Sequence, residues 1–446
     1  MANSTATSLA REIVARLQGH GHQAYFAGGC VRDLLLEREP SDYDVATNAR
    51  PEEVVGLFPS ARLVGAHFGV VLVRADSAEV EVATFRTDHS YLDGRRPAAV
   101  EFEADPRQDV LRRDFTINGL LLDPQTNQVL DFVGGRDDLR AGLIRAIGDP
   151  ALRFGEDHLR MLRAVRFAAR FGFRIEPATF AAIGELHEKI AAISAERIRD
   201  ELVRILIEGG ARRGFDLLDA SGLLADVLPE VAAMKGVQQP PEFHPEGDVW
   251  VHTMMMLEGL RQPSETLALA VLLHDVGKPP TFRVAERIRF DEHAEVGARM
   301  AVRILARLRF PGGVIRQVEA LVANHLRFKD VTRMRESTLK RFMRMDRFEE
   351  HLELHRLDCM MSHRLVDNYE FVRRKFAEAP REVLKPKPLV TGDDLIAAGY
   401  TPGPPFARML SALEDAQLEG RIGTRDEGLA LLRARFTPPD GREREA

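Results

Sequence analysis

Between Gln23 and Phe85 apolar residues come in short β-branched runs or alternate with polar ones. "QAYFAGG" reads as a strand entering a glycine turn, and "VRDLLLE" as the start of a helix. "DYDVAT", "ARLVG", "GVVLVRA" and "EVEVATF" alternate strongly enough to predict further strands. A helix over residues 8–20 precedes them. From about residue 150 the period lengthens. "GEDHLRMLRAVRFAARFGF" carries apolar residues at helical spacing, predicting a helix that ends at Gly172 and holds both Asp157 and Arg160. Turn-rich breaks follow at "KGVQQPPEFHPEGD" (235–248) and "KPKPLVTG" (385–392), and "PPDGREREA" reads as a frayed tail. The pattern describes an α+β head followed by an all-helical body.

At 446 residues the chain is too long for one core. The breaks give four expected segments: 1–148, 149–235, 236–384 and 385–446. The longest aliphatic run, Leu267 to Leu273, is far short of a membrane span, and the N-terminal stretch has no apolar centre of a secretory signal. Two cysteines exclude a disulfide framework and a Cys-rich zinc site, so a reducing cytoplasm is the expected compartment. The net charge of −6 argues against a uniformly basic surface, but arginines gather between Arg140 and Arg174. For any single one of them, a solvated helix face is the simpler account.

The first candidate chemistry lies where "AGGCVRD" (27–33) is followed by "SDYDVAT" (41–47). Gly28 and Gly29 let backbone N–H groups approach an anion, and Arg32 adds a charge-assisted grip. On a strand, Asp42 and Asp44 project to one face, where two carboxylates repel unless a cation lies between them. Carboxylate oxygens beside phosphates suit Mg²⁺. The pair therefore predicts a nucleoside triphosphate held with its metal. A third carboxylate would complete a two-metal site, and spacing leaves Glu79 and Glu81 equally eligible.

"GGCVRD", "SDYDVAT", "EVATFRTDHSYLDGRRP", "RRDFTING" and "EDHLRMLRAVRFAARFGF" occur in this order. Together they resemble the bacterial class II tRNA nucleotidyltransferase / poly(A) polymerase family, and within it CCA-adding enzymes. The resemblance implies a nucleotidyltransferase-type mixed sheet for the head and makes Glu81 the third carboxylate. It assigns the incoming triphosphate to Gly29, Arg32 and Arg113, and nucleotide contacts to Arg163 and Arg166. It also makes "EDHLRMLR" a base-reading helix. There Asp157 accepts from an exocyclic amino group and Arg160 donates to ring nitrogens or a carbonyl, which admits C and A and rejects U and G. The polar segment "FRTDHSYLDGRRP" (85–97) is expected to be the mobile loop needed to switch from C to A addition. Gly119 departs from the alanine usual in relatives and is expected to loosen a helix start. The implied partners are tRNA, CTP and ATP, with no membrane, and the implied activity is template-independent addition of C, C and A. The alternatives are a poly(A) polymerase, a CC- or A-only enzyme, or a nucleotide phosphohydrolase.

A second constellation places His252, His274, Asp275, His293, His325 and Asp358 on predicted helices. Consecutive His274–Asp275 flanked by further histidines suits a divalent metal. The pattern resembles an HD-type metal phosphohydrolase, which implies His252, His274, Asp275 and Asp358 as ligands of one ion. His293 and His325 are then candidates for a second metal or for phosphate, and Lys278 for phosphate.

Overall fold

The computed structural model describes residues 2–64, 69–75, 78–91, 97–242 and 244–436. They form two compact units. The first comprises 1–233 with the short segments 261–268 and 304–310, and the second the remainder from 234.

The first unit opens with α1 (Ala2–Gly19), whose Leu9, Ala10, Ile13, Val14 and Leu17 are buried at three- and four-residue spacing. Strand β1 (Ala24–Ala27) turns through Gly28 into α2 (Gly29–Leu35). Gly28 adopts φ +70°, ψ −127°, a backbone that demands glycine, and a Cβ there would lie 2.9 Å from Arg113 Nη1 and push that side chain aside. Then come β2 (Asp44–Thr47), α3 (Pro51–Leu57), β3 (Arg62–Leu63), β4 (Val70–Ala75) and β5 (Ala78–Thr84). The segment expected as a loop contains β6 (Arg86–Tyr91) paired antiparallel with β7 (Pro97–Phe102). Residues 92–96 of that segment lie outside the described residues, as does the expected frayed tail.

After α4 (Pro106–Leu111) and a 3₁₀ turn over Thr116–Asn118, β8 (Leu120–Asp123) and β9 (Gln128–Asp131) complete a seven-stranded sheet of order β3-β4-β5-β2-β1-β8-β9. Only β2 and β5 run parallel within it. Val45, Val80 and Val82 point into the core beneath α1, so the alternate residues Asp44 and Glu81 face the opposite side. Gly119 follows the 3₁₀ turn rather than starting a helix. A methyl group on it would lie 2.8 Å from Val133 Cγ2 and 3.1 Å from Ile147 Cδ1, which accounts for glycine in so crowded a position.

The chain continues through α5 (Gly135–Ala141), α6 (Pro150–Glu156), α7 (Leu159–Phe171), α8 (Pro177–Leu186), α9 (Ala195–Ile207) and α10 (Ala211–Ala220). The segment expected as one helix is thus two. Asp157 leaves helical geometry at φ −147°, ψ 104°, and α7 ends on Gly172 at φ +72°.

Among the described residues, the second unit is helical apart from a hairpin pairing Phe282–Val284 with Ile288–Phe290. One of its cores gathers Phe328, Phe342 and Phe348, and another gathers Val390, Leu395, Leu413 and Leu432 from the C-terminal helices. Among the described residues no helix is long and apolar enough to cross a membrane.

Candidate functional site

The parallel register of β2 and β5 sets Asp44 directly beside Glu81. Glu79 faces solvent on the same strand but is taken by Arg74 across the β4–β5 pair. Strand register therefore separates two glutamates that spacing left equal. Asp42 lies on the bend before β2, not on the strand as expected, with its Oδ1 accepting from Ser41 Oγ at 2.9 Å. Burial, then the charges of Asp42 and Glu81, push the Asp44 carboxyl up to about 6 against the pull of Arg113. The protein alone does not neutralise this trio, which is what a cation site with hard oxygen donors requires.

Asp42, Asp44, Gly28 and Gly29 border a cleft of about 640 Å³ lined by nine arginines and six acidic residues. Most of these arginines are held in place by protein partners. Arg32 donates to Asp33 at 2.8 Å and to Asn118 Oδ1 at 2.7 Å, and its guanidinium lies over the rings of Phe167 and Phe171. Arg113 is fixed on buried Asp109 at 2.9 Å. Arg163 pairs with Asp114 at 2.6 Å. Despite burial, Arg163 and a hydrogen bond from Asn118 hold the Asp114 carboxyl well below the usual range. Arg166 pairs with Glu201 at 2.6 Å, both nearly sealed from solvent. Arg160 and Arg166 are buried, so the arginine cluster is not simply a solvated helix face. Cations pre-positioned in this way can receive a polyphosphate with little loss of side-chain freedom.

Asp157 and Arg160 do not pair as helix neighbours. Asp157 accepts the Leu159 N–H at 3.1 Å and is gripped through both oxygens by Arg197 of α9, at 3.2 and 2.6 Å. Arg160 donates instead to Glu156, to the Arg153 carbonyl at 2.8 Å and to the Arg112 carbonyl at 3.2 Å. Both still line the cleft. Asp109, Asp114, Asn118 and Arg197 escaped the sequence reading. Asp114 and Asn118 lie within "RRDFTING", which carried a signal, and Asp109 three residues before it, whereas nothing local marks Arg197.

In the second unit His252 lies on the helix Val249–Gly259 and Asp358 on the helix Phe348–Met361. His274 and Asp275 occupy the turn after the helix Glu265–Leu273, rather than a helix, while His293 and His325 each begin a helical segment. The tertiary fold brings all six together. His252 Nε2 lies 3.2 Å from Asp358, and His274 Nε2 lies 3.2 Å from Asp275. Lys278 Nζ donates to Asp275 Oδ2 and to Gln239 Oε1, each at 2.6 Å. The Nε2 atoms of His252, His274 and His293 are buried without a hydrogen-bond partner. Asp358 and Glu246 outweigh burial and push His252 up to about 9, whereas burial and His274 push His325 down to about 3. Orphaned imidazole nitrogens beside carboxylates fit a divalent transition metal.

Three family profiles match in sequence order. Residues 24–145 fit a poly A polymerase head domain, 172–235 a probable RNA and SrmB-binding site of polymerase A, and 248–351 an HD domain. The CCA-adding enzyme of Enterococcus faecalis is 32% identical over 428 residues, covering 94% of each chain. That of Lactobacillus helveticus is 41% identical over 254 residues, covering 56% of this chain and 63% of that protein, under two thirds of its length. Among solved structures, the Bacillus stearothermophilus CCA-adding enzyme in complex with CTP is similar with a TM-score of 0.75 and 30% identity over 96% of both chains. The Thermotoga maritima CCA-adding enzyme complexed with tRNA shares the fold, with a TM-score of 0.60 at 21% identity over 96% of this chain and 94% of that one.

Proposed function

The chain belongs to the family of CCA-adding enzymes, and from that premise we propose that it adds C, C and A to tRNA 3′ ends from CTP and ATP, releasing pyrophosphate. The observation that carries this reading is Asp44, crowded by Asp42 and Glu81 at the border of an arginine-lined cleft. These three carboxylates would hold Mg²⁺. Bound there, Mg²⁺ supplies Lewis-acid activation of the 3′-hydroxyl and charge neutralisation on the leaving pyrophosphate. The N–H of Gly29, with Arg32 and Arg113, holds the triphosphate in line, whereas the expected N–H of Gly28 is spent on the Leu120 carbonyl at 3.3 Å. Arg163 and Arg166 complete the cationic wall.

Base choice falls to Asp157 and Arg160. C and A present an amino group where U and G present a carbonyl, and a carboxylate accepts only from the former. A wrong base leaves buried polar groups unpaired, which makes rejection stronger than acceptance. The arginine-rich helices of the first unit follow tRNA backbone by shape rather than by sequence. Both described cysteines are buried and unpaired, which supports a reducing cytoplasm as the setting.

The test is a tRNA lacking its 3′ CCA, incubated with each nucleoside triphosphate singly and with CTP and ATP together. Addition of C, C and A with the pair, and none with UTP or GTP, is expected. A run of A from ATP alone, or arrest after CC, overturns the reading in favour of a poly(A) polymerase or a partial adder.

A second activity is favoured by the orphaned Nε2 atoms of His252 and His274. His252, His274, Asp275 and Asp358 would hold a divalent ion in a hydrolytic site for small phosphate esters.

A further inference from the structure

We propose that Phe167 and Phe171 are positioning residues for the triphosphate, holding Arg32, Arg163, Arg166 and Arg170 on their ring faces as one array that keeps its full positive charge. The proposal rests on the arginine-lined cleft being the triphosphate site and adds how its cations are held. Phe167 and Phe171 stand four residues apart on α7, with ring centroids 6.0 Å apart and planes within 10° of parallel. Over Phe167 lie the guanidiniums of Arg166 at 4.2 Å from the centroid, Arg32 at 5.1 Å and Arg163 at 5.4 Å. Over Phe171 lie Arg32 at 4.7 Å, and Arg170 and Arg38 at 5.2 Å each. Arg32, carried on α2, thus bridges the two rings, whereas Arg163, Arg166 and Arg170 come from α7 itself. These four arginines and Phe167 all line the cleft.

Packing alone does not require rings here. Both are buried, and an aliphatic side chain of similar volume would fill the same space. What a ring adds is a face that attracts a cation through its quadrupole and brings no charge of its own. A carboxylate also fixes an arginine, but it cancels the charge it holds. Burial already presses the Arg32 guanidinium below its ordinary value, and Arg170 pushes the same way against Asp33. More acids would relieve that pressure but weaken the field a polyphosphate needs. Instead Asp33 and Asn118 engage the edge of Arg32, and the rings cover its face. The same division holds for Arg163, between Asp114 and Phe167, and for Arg166, between Glu201 and Phe167. The nine arginines of the cleft outnumber its six acidic residues, so it stays cationic. Guanidiniums fixed in this way need little further ordering when an anion binds.

The test grades the ring face while keeping its size. In the full chain Phe167 is replaced by phenylalanines of increasing ring fluorination, which drains the π face, and separately by leucine. The probe is inorganic tripolyphosphate in Mg²⁺ buffer, titrated by calorimetry, so that no base contributes. Affinity is expected to fall stepwise along the fluorinated series, and Phe167→Leu to weaken it about tenfold. In incorporation assays KM for CTP and for ATP should rise in parallel, while the preference over UTP and GTP stays the same. Melting curves confirm that each variant is folded. Affinity that stays flat along the fluorinated series, even where Phe167→Leu melts lower, shows that the ring only packs and overturns the proposal. An altered base preference at unchanged tripolyphosphate affinity places the rings in base reading and overturns it too. A parent that binds no tripolyphosphate overturns the triphosphate reading of the cleft and the proposal with it.

Discussion

Replacing Asp44 by asparagine is expected to abolish nucleotide addition and yet stabilise the metal-free protein. Burial, with Asp42 and Glu81 beside it, raises the Asp44 carboxyl from 3.8 to about 6. The folded state therefore holds this proton more tightly than the unfolded chain, and stability falls as pH rises through that window. Above about pH 7 the full penalty is present, at most about 3 kcal/mol, and at pH 5 roughly half of it. Asparagine keeps the size and removes the charge. For a unit of roughly 250 residues, 1 kcal/mol moves the midpoint by about 2–4 °C. In EDTA at pH 8 the variant should melt several degrees above the parent, and by about half that margin at pH 5. Saturating Mg²⁺ is expected to raise the parent far more than the variant, since only the parent keeps the ligand. The assay is a set of melting curves at the two pH values with and without Mg²⁺, alongside single-turnover incorporation. A variant less stable than the parent in EDTA at pH 8, or a gain that does not shrink at pH 5, would refute the reasoning.

Asp157→Ala is expected to let UTP and GTP compete about tenfold better or more against CTP and ATP. Because Arg197 grips both Asp157 oxygens, Arg197→Ala should shift the same ratio in the same direction, and competition assays with unchanged ratios would reduce the pair to a strut. Glu201→Ala strands Arg166 without its buried partner and should cost about 3–5 kcal/mol in urea unfolding, whereas a loss under about 1 kcal/mol would show that water or Glu208 replaces it. Asp275→Ala should keep C and A addition while losing any metal-dependent hydrolysis of small nucleotides. Loss of CCA addition in a stably folded variant would show that the sites depend on each other.

Much of the molecule follows from local sequence. Alternation marked the strands carrying Asp44 and Glu81, because a strand repeats every second residue whatever it pairs with. Gly28 announced its turn, because a φ of +70° is open to glycine and strained for most other residues. The lengthened period after residue 150 marked the helical body for the same local reason. Periodicity did not reveal the break at Asp157, since apolar spacing continues across it. Its carboxylate accepts the Leu159 N–H and is clasped by Arg197, forty residues away. Nor did spacing separate Glu79 from Glu81, a choice made when β5 aligned with β2 in one register and β4 supplied Arg74 to the other glutamate. The HD cluster shows the same division. His274–Asp275 was legible as a dipeptide, but the two faces of Asp275 exist only once segments from His252 to Asp358 have packed around it. Conformational preference is a property of neighbours along the chain and can be read there. Register, ion pairing and ligand convergence are set by distances between segments far apart in sequence, and those distances exist only in the folded state.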